Sequence, residues 1–398
     1  MTFTAETLER TELRGEPDWL RQRRRSALEA YERLPIPSRT DEEWRRTDIA
    51  GLDPSQFAKF EHANGAVADE RELPKGVIVE PLSAAVMNHS ALIEPLLFSM
   101  VRPDRDRFAA LHAAFFTGGN FVYVPDGVNI DEPILGQHFS HESGTSVLPH
   151  TLIVAGKGAR FNYLDEYIAD GDDEAAYRSG SAEIIVGEGA EVGYVAIQKW
   201  GRQAWHFADQ RARLAKDATL KLFNITLGAR FSKTRVEASL MGPGATAELK
   251  GIYFASGDQF FDFHTLQDHQ VGNTTSDLLF KGALQDVART VYAGLIRIEK
   301  GAARSDAYQA NRNLVLSAKA KATSIPMLEI DNNDVRCTHG ATVGPVDPNH
   351  LFYLRSRGIP EMTAKRMIVQ GFFGQVLDRI PFEQARTMIE NELESRLG

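Results

Sequence analysis

The sequence predicts a mainly β fold with helical parts at both ends, and three observations point to it. A small-residue turn motif recurs as Gly156-Lys-Gly-Ala159, Gly187-Glu-Gly-Ala190, Ala215-Lys-Asp-Ala218 and Gly242-Pro-Gly-Ala245, with final alanines 31, 28 and 27 residues apart. Each copy precedes a run of alternating character. After Ala218, Leu220 and Leu222 alternate with Lys221; after Ala245, Ala247, Leu249 and Gly251 oppose Glu248 and Lys250. Helical periodicity, present before residue 150 and after about residue 346, is missing between them. A unit near 28 residues, with one or two strands per turn, fits one coil of a β-solenoid stacked on its neighbours. The same turns would also serve an antiparallel sandwich, and the pattern alone leaves both open.

Residues 1–75 form an N-terminal helical region in this reading, with one helix over residues 17–34 ended by Pro35 and Pro37. Residues 76–147 are mixed α/β. Helices are expected over 83–100 and 105–116, and a short strand over 121–124 is stopped by Pro125-Asp126-Gly127. Residues 148–345 carry the β core, whose repetition becomes irregular past 260. Residues 346–398 read as a helical hairpin. Its first helix opens at Ile359-Pro360-Glu361, with proline in the tolerated first turn, and runs to about Leu377. Its second follows Pro381 and lines Phe382, Ala385, Met388, Ile389, Leu393 and Leu397 along one face.

Composition narrows the function. Lys+Arg 45 against Asp+Glu 54 gives a formal charge of -9, the wrong sign for a protein that wraps phosphate backbones, so no nucleic-acid partner is expected. The cluster Arg21, Arg23, Arg24 and Arg25 lies among acidic residues and reads as a solvated helix face. No apolar run approaches the roughly 18–20 residues that span a bilayer, and no sorting signal is legible. A lone cysteine allows no internal disulfide, and the expected compartment is the cytoplasm.

Nucleophile elbows, His-Glu-x-x-His and Cys-x-x-Cys are missing, and no Gly-x-Gly-x-x-Gly introduces a helix. Two groups of histidines remain. His264 and His269 in Asp262-Phe-His-Thr-Leu-Gln-Asp-His269 face opposite sides of an extended strand, so a shared metal would need a bend; polar residues on a strand surface or capping a turn are the favoured reading. Cys337-Thr-His339 places thiol and imidazole on one side of a strand, about 7 Å apart by strand rise. Such a pair suits iron or zinc, or is a buried cysteine with an incidental histidine. Iron–sulfur clusters usually take four protein ligands. With one cysteine in the chain, any cluster here would be shared with another copy or another protein. A carbohydrate lyase or hydrolase would instead need a groove of carboxylates and basic groups, for which Asp262, Asp268 and Arg289 are the candidates.

Arg336-Cys-Thr-His-Gly-Ala-Thr-Val-Gly344 and Leu351-Phe-Tyr-Leu-Arg-Ser-Arg-Gly-Ile359 closely resemble the SufB/SufD family of iron–sulfur cluster assembly proteins. Gly294-Leu-Ile-Arg-Ile, the stretch from Asp306 to Ser317, Pro326-Met-Leu-Glu-Ile330 and Glu43-Trp-Arg-Arg-Thr47 support it. The modest length and single cysteine are similar to the smaller, cysteine-poor branch; Thr338 stands where that branch commonly has Ser. The resemblance implies a right-handed parallel β-helix between helical parts and a non-catalytic scaffold role. It implies pairing with a SufB paralogue through the β-helix, one SufC ABC-type ATPase on each subunit, and a homodimer when the chain is alone. His339 would then face the partner, with Cys337 as a second participant. The iron–sulfur cluster would be transient and shared, with none bound tightly by this chain alone. ATPase docking is expected on the helical tail, with Phe372 or Phe373 as anchor. A homodimer without any metal role is the remaining alternative.

Overall fold

The computed structural model describes residues 3–11, 15–57, 59–61, 65–67, 71–141, 144–169 and 175–397. Among these, strands pair into one sheet of nine and one of ten, and from His150–Ala155 onward consecutive strands fall alternately in the two sheets. Each coil therefore gives one strand to each sheet. The ladders are parallel and in register along the stack, as in Phe207 opposite Lys233 and Leu222 opposite Leu249. The solenoid reading holds, and the sandwich is excluded by the parallel pairing.

The turns explain the repeat. In six successive turns between the ten- and nine-stranded sheets the third residue takes a left-handed φ: Gly158 and Gly189 at 65°, Asp217 at 56°, Gly244 at 81°, Asn273 at 57°, Arg304 at 59°. Glycine, asparagine and aspartate tolerate this best. The amide of that residue donates to the turn of the next coil, Gly158 to the Glu188 carbonyl at 2.8 Å, Gly189 to Lys216 at 2.9 Å and Asp217 to Pro243 at 2.9 Å. The fourth residue points into the narrow lumen and must be small: Ala159, Ala190, Ala218 and Ala245, then Thr274 and Ser305, are all buried. Thr274 and Ser305 join their hydroxyls at 3.0 Å. Repetition thus persists past residue 260 as conformation after it has faded as sequence.

The helical ends cover opposite outer faces. The N-terminal part, including helix Asp18–Arg33 and helix Arg107–Phe115, buries Leu20, Leu28, Phe108 and Phe115 with Tyr177, Phe207 and Phe231 of the ten-stranded sheet. Helices Glu361–Leu377 and Glu383–Leu397 bury Val369, Phe373, Ile389 and Leu393 against Val195, Ile225 and Phe254 of the nine-stranded sheet. The side chain of Leu397 lies outside the described residues. No helix among those described is long and apolar enough to cross a membrane.

Four expectations change. The parallel stack begins upstream of 148, since Asn120–Val124 pairs with His150–Ala155 and Ile134–Ser140 with Arg160–Ala169. Residues 83–100 are two short helices, Leu82–Asn88 and Ser90–Ile93, followed by turns. There the Glu183 carboxylate accepts from the amides of Phe98, Met100 and Val101, which a continuing helix would have used. A helix over Pro348–Ser356, opened by Pro348 after the Asp347 cap, precedes the expected hairpin. Arg24 is no surface residue: fully buried, it pairs with Glu16 at 2.9 Å and donates to the carbonyls of Ala114 and Phe116.

Because the lumen admits only a small side chain at the fourth turn position, Ala218→Leu is expected to cost about 1–3 kcal/mol. Urea denaturation of the variant beside the parent chain reads this directly.

Candidate functional site

The two ends of the stack differ. At the first coils, Ile78–Pro81 pairs antiparallel with Asn120–Val124, and Gly65–Val67 pairs antiparallel with Ile134–Ser140. At the other end, Lys321–Ile330 and Arg336–Pro345 are the outermost strands of their sheets. In a parallel, in-register pair, partners share a face. Cys337 lies opposite Ala307 and His339 opposite Gln309, both buried inward, so Cys337 and His339 occupy lumen positions of the final coil. Across from them, Leu328 and Ile330 lie opposite the fully buried Ile296 and Ile298, yet are 37% and 42% exposed. Val343, opposite the buried Asn313, is 48% exposed. These are core positions with no further coil above them. Sequence reading missed them, although the parity of the strands marks them once the last coil is known.

His339 is exposed, whereas Cys337 is half-buried against Ile296, Ile298, Ala302 and Ala307. Burial, helped by the Asp306 carboxylate, pushes the Cys337 thiol up, so it stays protonated at neutral pH. An imidazole and a thiol are donors suited to iron, but two fall short of a cluster's usual four. Among the described residues no group of three or more His, Cys, Asp or Glu is arranged to hold a metal ion.

His264 and His269 are not brought together. His264 is on the outer face, 3.0 Å from Asp262, whose carboxylate also holds buried Lys233 at 2.6 Å and accepts from Thr47. His269 is buried between the hydroxyls of Thr274 at 2.7 Å and Ser276 at 2.8 Å, and desolvation lowers its pKa to about 4. Asp262 and Arg289 line separate cavities and Asp268 lies in neither, so no common carboxylate groove forms. Phe373 is fully buried under the tail, and Phe372 is half-buried with the Lys281 ammonium 4.7 Å from its ring centre. Lys281 also donates to the Phe372 carbonyl at 2.7 Å.

Residues 138–372 match the family described as SUF system FeS cluster assembly, SufBD core domain, and residues 55–135 match the SufBD protein N-terminal region. The chain belongs to the SufBD family. Its relatives include the iron-sulfur cluster assembly protein SufD of Bacillus subtilis, 29% identical over 97% of this chain and 96% of that protein. Iron-sulfur cluster assembly SufBD family proteins of Staphylococcus epidermidis and Staphylococcus saprophyticus are each 26% identical, over 98% and 97% of this chain and 92% of theirs. The SufBD core match spans the uncapped coil and both residues facing its lumen.

With its pKa raised, Cys337 in the isolated chain is expected to react with iodoacetamide at pH 7.5 more slowly than a cysteine in a short peptide, and faster as pH rises. A rate equal to the peptide's would contradict the raised value. His269, held near 4, and fully buried His206, held near 3, stay neutral in the fold, while unfolded histidines protonate near about 6.5. As pH falls below about 6.5 the unfolded chain binds protons that the folded one refuses, so stability drops. The urea midpoint is expected to fall from pH 6.5 to 4, less steeply in His269→Gln.

Proposed function

We propose that this SufBD-family chain is a non-catalytic scaffold subunit that closes its open coil against a SufB-type paralogue and holds nascent iron–sulfur clusters at the junction. The observation that carries this reading is the uncapped end, where His339 and Cys337 share lumen positions with the exposed Leu328, Ile330 and Val343. A β-helix that ends on bare core positions and two unpaired strand edges is a template for another chain. The cluster is cargo in this scheme. His339 supplies a neutral imidazole toward iron, and Cys337 loses its proton when a metal draws it into coordination.

The tail then serves an ATPase of the SufC type. Phe372 and Phe373 are turned toward the sheet, but Phe352, Tyr353 and Met362 stand 73%, 57% and 60% exposed on the outer surface of helices Pro348–Ser356 and Glu361–Leu377. Exposed aromatic and methionine side chains grouped in this way fit a protein partner. The compartment in this reading is the cytoplasm, and the isolated chain pairs with itself through the same end.

Reconstitution with SufB- and SufC-type partners, ATP, iron and a sulfur donor tests the site. His339→Ala is expected to keep the parent's circular dichroism while cluster yield, read by absorbance and sulfide assay, falls at least tenfold. An unchanged yield would remove His339 from the site. Leu328→Asp is expected to lower recovery of the SufB-type partner in a pull-down without changing recovery of the ATPase.

A further inference from the structure

A second concave site lies on the outside of the ten-stranded sheet, away from the lumen. One wall is the segment of residues 39–57, and the floor is the coil edge where strands Ala204–Leu214, Phe231–Leu240, Phe260–His269 and Arg289–Ile298 begin. The cavity is about 470 Å³, within the range of small-molecule sites, roughly 300–1,000 Å³.

Its floor is an aromatic ladder. Trp205, Phe231 and Phe260 lie opposite one another in register, and Arg289 is the next rung. Ring centres are 4.9 Å apart for Trp205 and Phe231 and 5.7 Å for Phe231 and Phe260. Phe231 is buried between its neighbours, while Trp205 and Phe260 remain partly open to the cavity.

Its walls are cationic, in a chain of net charge -9. Four arginines face two aspartates. Arg39 pairs with Asp48 at 2.6 Å, and Arg230 with Asp258 at 3.4 Å. Arg46 and Arg289 have no ion pair among the described residues, although each lines the same cavity. Two guanidinium groups without an ion pair, of which Arg289 also lies within charge range of Asp48, stand beside partly open aromatic rings and meet two separate demands: forked donors for phosphate oxygens, and π faces for a planar ring.

We propose that this cavity binds a small phosphorylated ligand carrying a planar ring, of the nucleotide class, with phosphate at Arg46 and Arg289 and the ring against the open edges of Trp205 and Phe260. The pocket is sized for one such unit and not for a nucleic-acid strand. The proposal is independent of the cluster-holding role, because it uses neither the lumen nor His339.

Calorimetric titration of the full chain at low salt tests it, with AMP, adenosine and pyrophosphate as probes up to millimolar concentration. AMP is expected to bind one-to-one and quench tryptophan fluorescence, and adenosine is expected to give no saturable signal. Arg46→Gln and Arg289→Gln should each weaken AMP about tenfold or more. Phe260→Leu should weaken AMP while sparing pyrophosphate. The arginines are exposed, so circular dichroism of their variants should match the parent. No saturation by AMP, or unchanged affinity in the Arg46→Gln/Arg289→Gln double variant, overturns the site. Pyrophosphate binding as tightly as AMP overturns the ring half of the proposal.

Discussion

The stacked turn is the constraint on which the rest of the structure depends. Six successive turns each place one residue at a left-handed φ, pass its amide to the next coil, and present only a small side chain to the lumen. Meeting all three fixes the coil pitch and brings the two sheets close enough for their inward side chains to form one core. In-register pairing then repeats each lumen position from coil to coil, so side chains near the end of the chain inherit an orientation set far upstream. The inward aim of Cys337 and His339 follows from that inheritance, since neither residue is locally anchored by a hydrogen-bond network of its own.

A second layer of order lies outside the stack. Covering helices from the two ends of the chain pack on opposite sheets, and buried ion pairs fasten the N-terminal segment to its sheet. Arg235 is the centre of that clasp, joined to Glu43 and, at 2.6 Å, to Asp106, while Lys233 meets Asp262 below Trp44. Opposite charges surround Arg235, which keeps its guanidinium charged despite complete burial. Removing one partner alone would strand a buried charge, so the Arg235 pairs bind segment to sheet, and the Lys233–Asp262 pair joins two of its strands, more through mutual dependence than through net attraction.

Much of the fold was legible because glycine and alanine write the turn conformation directly into the sequence, and prolines mark the tail helices. The repeat became illegible where Asn273 and Arg304 adopt the same φ without glycine and Thr274 and Ser305 replace alanine, because a conformation can persist under several residue types. Periodicity left parallel and antiparallel pairing undecided, since both use the same alternation. At the site, Cys337 and His339 were recognisable by residue type and spacing, and their open-ended setting was not. Exposure of Leu328 or Val343 is a property of where stacking stops, which no local window contains. The paired phenylalanines illustrate a related point: adjacency says that one must turn inward, and the sheet beneath them buries Phe373 while Lys281 closes over the half-buried Phe372.

The unlike ends of the stack carry a further consequence. Antiparallel strands finish the first coils, whereas the last coil ends on the edges of two parallel strands. Among the described residues, the last coil is the end that bares core positions. In the language of polymer chemistry, the proposed pairing would make the molecule a monofunctional unit, with one reactive end and one chain stop. If the chain pairs as proposed, with a second copy or with a paralogue built the same way, association through that end is complete at two. Under the proposed pairing, raising the concentration would fill pairs and grow no fibre, so the bare strand edge would not seed the filament that it otherwise could.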